Sequence, residues 1–202
     1  DSSLNGNMQR LKVTRNSTTN IVEIWFGTPS YSVSFSDPST YVATVLVRDI
    51  KCANGVIMII DNVLVAPLAS STTAASSNVL STLIAQVQGA QLQSALDTTD
   101  SITIFAPWQA AFQAIGLGGR FFQMSTPILL GHVVSGVYYS TQLSSGGNPK
   151  LLKTLGGQKI QVSYSAGGVI SINGVATVVI GDLLTKNGVI HIIDNVLSLA
   201  PS

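Results

Sequence analysis

Asn187-Gly188-Val189-Ile190-His191-Ile192-Ile193-Asp194-Asn195-Val196-Leu197 has already occurred once in this chain, as Asn54-Gly55-Val56-Ile57-Met58-Ile59-Ile60-Asp61-Asn62-Val63-Leu64. A proline closes each copy, Pro201 and Pro67. The offset is 133 residues (187 − 54), and it holds further back: Thr44-Val45-Leu46-Val47-Arg48-Asp49-Ile50 lies over Thr177-Val178-Val179-Ile180-Gly181-Asp182-Leu183. Leu11-Lys12-Val13 lies over Ile160-Gln161-Val162 once the first copy is given an insertion of 16 residues (162 − 13 − 133). Self-similarity at a fixed offset marks a repeated structural unit, so it sets the architecture before any single residue is interpreted. The stretch from Ala74 to Leu152 has no partner in the first copy. Residues 1–67 are therefore expected to be the C-terminal half of a first domain, residues 68–72 a linker, and residues 73–202 a complete second domain. On this reading Asp1 starts mid-domain, through a nick in a longer parent whose N-terminal fragment stays associated.

Asn-Gly between β-branched runs predicts hairpins, because a type I′ turn needs positive φ at both central residues. The pair occurs at Asn54-Gly55, Asn173-Gly174 and Asn187-Gly188. Lys159–Tyr164, Val169–Ile172, Val175–Ile180 and Val189–Val196 then read as a β-meander. Leu11–Thr14, Ile21–Phe26, Ser32–Phe35, Tyr41–Val47 and Val56–Leu64 repeat it with an extra excursion. Val79, Leu80, Leu83, Ile84 and Val87, and then Leu92 and Leu96, fall at helical spacing. Ile102–Phe105 is expected as a strand stopped by Pro107, Gln109–Ile115 as a helix ended by Gly116, and Pro127–Val134 as a further apolar element. The fold class is α+β, with short helices followed by a mostly antiparallel sheet.

Composition excludes several functions. Charged residues are 9% of the chain, against roughly 25% in average proteins, while hydrophobic residues reach 46%. Ser, Thr, Asn, Gln and Gly must therefore build the surface. With a net charge of +1 and no basic run, the chain lacks the means to neutralise several phosphates at once, and a nucleic-acid partner is rejected. No apolar stretch has the roughly 18–20 residues that span a bilayer. Asn16-Ser17-Thr18 is the one N-glycosylation sequon, and Cys52, the only cysteine, has no partner here for a disulfide.

Three ordered motifs make the chain resemble the fasciclin-type adhesion domain family: Thr103–Phe112, Leu129–Gly136 and Asn187–Leu197. The resemblance covers residues 73–202 fully and 1–67 as a C-terminal half. It implies a twisted antiparallel β-wedge or sandwich with several short helices. It also implies secretion or cell-surface attachment, often through a lipid anchor, and adhesion through protein or glycan contacts. Gly131 stands where the family usually has tyrosine, and Met58 where it usually has histidine. Asp49-Ile50 and Asp182-Leu183 occupy the position of an aspartate-isoleucine segment associated with integrin recognition in animal members. The plainer reading is an aspartate satisfying turn amides.

His132 and His191 are the only histidines, and neither has His, Cys or Glu at ligand spacing, so no metal, cofactor or catalytic residue is assigned. Met58, at the duplicate of His191, fills the same volume but transfers no proton. This points to a structural ring bonded to main chain or to a neighbour such as Asp194. The candidate interaction residues are Asp49, Ile50, Asp182, Leu183, His132, Tyr138 and Tyr139, with Asn16 as candidate glycan acceptor. Trp25, Phe26, Tyr31 and Phe35 gather in or beside the excursion, where they either build core or stack on sugar rings. A first half lacking its partner would expose apolar strands.

Overall fold

The structure is a computed structural model and describes residues 12–15, 22–25, 42–64, 66–116, 123–145 and 149–197. Two sheets carry the fold. The first has four strands in the order β1 (Lys12–Arg15), β2 (Val22–Trp25), β3 (Val42–Cys52) and β4 (Gly55–Ile60). The second holds β5 (Ile102–Pro107), β6 (Val133–Ser135), β7 (Lys150–Lys153), β8 (Lys159–Tyr164), β9 (Ile170–Ile172), β10 (Ala176–Thr185) and β11 (Gly188–Ile193), in the order β6-β5-β11-β10-β9-β8-β7. Among the described residues six short α-helices accompany it, with a 3₁₀ turn at Asn78–Leu80 ahead of the second: α1 (Ser70–Ala75), α2 (Ser81–Gly89), α3 (Gln93–Thr98), α4 (Gln109–Ala114), α5 (Thr126–Gly131) and α6 (Ser140–Leu143).

The meander β8-β9-β10-β11 forms as the alternation requires, and β1-β2-β3-β4 reproduces its order. The hairpins agree pair by pair. Val45↔Ile60, Val47↔Ile59, Ile50↔Ile57, Lys51↔Val56 and Cys52↔Gly55 in the first copy match Val178↔Ile193, Ile180↔Ile192, Leu183↔Ile190, Leu184↔Val189 and Thr185↔Gly188 in the second. Both carry irregularities at the same two places, and Asp49 (φ 61°) and Asp182 (φ 63°) take the same left-handed conformation there. Even the strand ends agree: Thr44 N–H donates to the Asp61 carboxylate at 2.6 Å, and Thr177 N–H to that of Asp194 at 2.6 Å. Val13 faces Ile24 and Ile24 faces Ala43, as Val162 faces Ile172 and Ile172 faces Ala176. Nearly all the extra residues of the first copy therefore fall between β2 and β3. Phe26, Tyr31, Phe35 and the strand expected at 32–35 lie outside the described residues, as does Asn16.

Three expectations need correcting or refining. First, the turns before β4 and β11 are Ala53-Asn54 and Lys186-Asn187, closed by the pairs Cys52↔Gly55 and Thr185↔Gly188. Neither has the positive φ of a type I′ turn; only Asn173 (φ 53°) and Gly174 (φ 67°) do. Gly188 is needed for another reason: a Cβ there would run into the Ile102 carbonyl oxygen of β5. Second, the sheet is mostly antiparallel as expected, but β11 pairs with β5 in parallel, Gly188↔Ile102 through Ile193↔Pro107, which makes β11 an inner strand. That placement buries all six of its residues on both faces, which explains an apolar run without alternation. Third, residues 68–72 are not a free linker. Leu68 C=O accepts from Lys186 N–H at 2.7 Å, and helix α1 begins at Ser70.

The core of the second unit has two parts. Helices α2–α5 pack on one side of β5 and β11 through Leu80, Leu83, Val87, Leu96, Phe112, Leu129, Ile190 and Ile192. Phe105, Val134, Leu152, Ile160, Ile172 and Ile193 fill the other side. The first copy differs in coverage. Val56 is 57% exposed where Val189 is 0%, because no β5 lies beside β4 among the described residues.

Candidate functional site

The polar groups of the second unit meet at three buried junctions. The first ties α1 to the β10–β11 turn. The Asn187 side-chain amide donates to Leu96 C=O (2.6 Å) and Thr99 C=O (2.7 Å), and its oxygen accepts from Ser70 Oγ at 2.7 Å. Ser70 Oγ also lies 3.1 Å from Thr185 Oγ1. The Asp97 carboxylate accepts from Ser71 N–H (2.8 Å) and Ser71 Oγ (2.6 Å), fixing the first turn of α1. Helix α1 has little apolar surface, so these bonds hold it.

The second junction gathers several predicted residues. His191 is fully buried, stacked on Phe105 with ring centroids 5.6 Å apart. Its Nε2 lies 2.8 Å from Tyr138 C=O, and its Nδ1 accepts from Asp182 N–H at 3.2 Å. A carbonyl can only accept and an N–H can only donate, so these partners select the neutral Nε2–H tautomer. Both ring nitrogens meet main chain, the first of the two expected alternatives, and Asp194 is engaged by Thr177. Asp182 reaches far beyond its own turn. Its carboxylate accepts from Ser140 N–H at 2.7 Å and from Ser140 Oγ, capping α6 across the fold. Tyr138 N–H donates to Thr103 Oγ1 at 2.9 Å and Tyr139 N–H to Gln142 Oε1 at 3.0 Å, both rings being half-buried.

His132 forms the third. It is buried, its Nδ1 2.8 Å from Ile128 C=O, while Nε2 accepts from Leu197 N–H at 2.9 Å. Burial lowers its pKa to about 4 from 6.5, although the bond to Ile128 pulls the other way. The ring is neutral at physiological pH and both nitrogens face main chain, so His132 offers nothing to a surface partner. An apolar cavity of about 40 Å³ beside it, lined by Leu83, Val87, Ile104 and Leu129, has no room for an organic ligand.

The first copy presents the same positions outward. Ile50 is 38% exposed against 9% for Leu183, and Asp49, Asn54, Met58 and the free Cys52 are exposed. The pair Asp49-Ile50 therefore stands at a surface where Asp182-Leu183 is buried. A separate surface groove of about 380 Å³ is lined by Asn78, Val79, Trp108, Gln109, Ala110 and Gln113. No three His, Cys, Asp or Glu side chains gather at metal distance among the described residues. No helix there is long and apolar enough to cross a membrane.

A family model of the Fasciclin domain matches residues 78–199. The chain belongs to the fasciclin family. Among relatives, it is 32% identical over 71% of its length to transforming growth factor-beta-induced protein ig-h3 of Sus scrofa, covering 21% of that protein. It is 35% identical over 61% of its length to protein sll1483 of Synechocystis, covering 69% of it. It is 33% identical over 77% of its length to a fasciclin-like arabinogalactan protein of Arthroderma benhamiae, covering 36% of it. The chain thus spans about a fifth of the first and about a third of the last. The solved FAS1 domain pair from the insect cell adhesion molecule fasciclin I shares the fold, with a TM-score of 0.57, 23% identity, and coverage of 94% of this chain and 67% of that one. Within this fasciclin unit, Asn187, Ser70 and Asp97 anchor the helices to the sheet, and reading the sequence missed all three. The recurrence of Asn54 and Asn187 was a usable signal, but turn chemistry accounted for it too readily.

Proposed function

We propose that this chain is a non-enzymatic adhesion protein of the cell surface or extracellular matrix. In this reading residues 1–67 are the rear half of one fasciclin module and 73–202 a second module, used in tandem. The observation that carries it is the contrast between the copies. His132, His191 and Asp182 of the second are committed to main-chain and helix-capping bonds, whereas the first turns Asp49, Ile50 and an apolar strand outward. Such a surface suits contact with a protein, and Asp49-Ile50 on its bulge is the contact we assign. Leu183, Tyr138 and Tyr139 support that bulge's counterpart in the second copy. A secreted location, a glycan at Asn16, a lipid anchor and an associated N-terminal fragment of the same precursor belong to the same reading.

Beads coated with the full chain should aggregate with one another or with cells, and Ile50→Glu should cut that several-fold while leaving the thermal midpoint in place. Coated beads that disperse as bare ones do would refute adhesion. A second reading, a carbohydrate-binding module, rests on the groove at Trp108. One aromatic face flanked by the amides of Asn78, Gln109 and Gln113, with no charge, is the chemistry that stacks on and bonds a neutral sugar. Selective binding on a glycan array, lost in Trp108→Ala, would favour it.

A further inference from the structure

Strand β4 ends the first sheet, and its outer edge pairs with nothing among the described residues. Long apolar edges are ordinarily blunted by charge, proline or a bulge, because bare backbone N–H and C=O groups invite another strand. The edge here is Gly55-Val56-Ile57-Met58-Ile59-Ile60, without a charge, and its side chains from Val56 to Ile59 are exposed. Its duplicate shows what fits. On β11 the same edge receives β5 in parallel, with Ile102 N–H donating to Asn187 C=O at 3.2 Å and Trp108 N–H to Ile193 C=O at 3.0 Å at the two ends.

Two features of the first copy lack a local purpose among the described residues. Gly55 has open space within 4 Å of where a Cβ would stand and needs no left-handed φ, yet its twin is glycine because a strand carbonyl presses against it. Asn54 is exposed, whereas Asn187 joins two carbonyls at the end of α3 to Ser70.

We propose that the outer edge of β4 is the seat of a parallel β-strand delivered by a helical half-module with the chemistry of residues 70–143 of this chain. The incoming strand sets a backbone carbonyl over Gly55 and runs in register to Ile60. It also brings two helix-end carbonyls to the Asn54 amide. The proposal rests on reading residues 1–67 as half a fasciclin module, and it assigns the partner's chemistry and register. Met58 in place of His191 means that the partner owes this position no carbonyl acceptor.

The test appends residues 70–143 of this chain, through a flexible Gly-Ser linker, ahead of residue 1 of the full chain, which raises their effective concentration. Amide hydrogen exchange then reads β4. Outward amides from Gly55 to Ile60 should slow about 100-fold relative to the unfused chain. Gly55→Val should abolish the slowing in the fusion while leaving the melting of the unfused chain unchanged, since valine suits an exposed strand. Unchanged β4 exchange in the fusion, or slowing that survives Gly55→Val, would overturn the proposal. So would β4 protection that rises with concentration in the unfused chain, because a second copy would then occupy the edge. Bead aggregation is scored separately, so failure of adhesion and failure of edge docking give different patterns.

Discussion

Replacing Asn187 by alanine should destabilise the second module by about 3 kcal/mol. The side chain is buried and supplies two donors and one acceptor. Its loss strands Leu96 C=O in the interior and Thr99 C=O in a half-buried setting. An orphaned buried acceptor costs about 1–3 kcal/mol. Taking about 2 for Leu96 and about 1 for Thr99, which water can partly reach, gives the figure. Ser70 Oγ keeps its contact with Thr185 and adds little. For a unit of this size the midpoint should fall on the order of 10 °C. Guanidinium unfolding followed by Trp108 fluorescence in a Trp25→Phe background would measure it. Asn187→Asp should be at least as damaging, because a carboxylate would face two carbonyls. Asn54→Ala, at the exposed duplicate, should stay within about 0.5 kcal/mol of its parent. An Asn187→Ala chain as stable as its parent would refute the buried-anchor argument, as would an Asn54→Ala chain that loses as much.

The His132 ring, neutral in the fold and titrating at about 4 against 6.5 unfolded, makes stability pH-dependent in one window. Above 6.5 both states are unprotonated and the contribution is full. Between 6.5 and 4 only the unfolded chain takes the proton, so about 3 kcal/mol is lost as pH falls, and His132→Asn should remove that slope from denaturant titrations. Gly188→Ala should cost about 1–3 kcal/mol by forcing β5 away from β11, while Gly55→Ala should be neutral; paired thermal melts compare them. Ile190→Ala should open a core cavity and cost about 3 kcal/mol, and the exposed Ile57→Ala under 1, by chemical denaturation.

The sequence made the hairpin legible because a duplicated stretch with β-branched residues and bounded turns admits few structures. The meander followed from period-two alternation in Lys159–Tyr164, whose first four residues alternate between exposed and buried. Strand β11 kept its parallel neighbour hidden, since a run buried on both faces has no polar side to reveal direction or partner. Helix α1 was invisible for the opposite reason: Ser70-Ser71-Thr72-Thr73-Ala74-Ala75 has no apolar period, and long-range bonds from Asn187 and Asp97 hold it. At the site, the burial of His191 was readable from Met58 in its duplicate. The role of Asp182 was not, because its partner Ser140 is 42 residues away and no pattern links them.

The polar attachment of α1 bears on how the molecule would respond to tension. Load entering from β4 reaches the Leu68–Lys186 and Ser70–Asn187 bonds one after another, so α1 unzips at low force. Load leaving beyond β11 must instead shear a six-residue parallel ladder whose bonds break together. A tether pulled from its two ends would therefore yield first at its entrance, lengthening while the sheet that holds its shape stays intact.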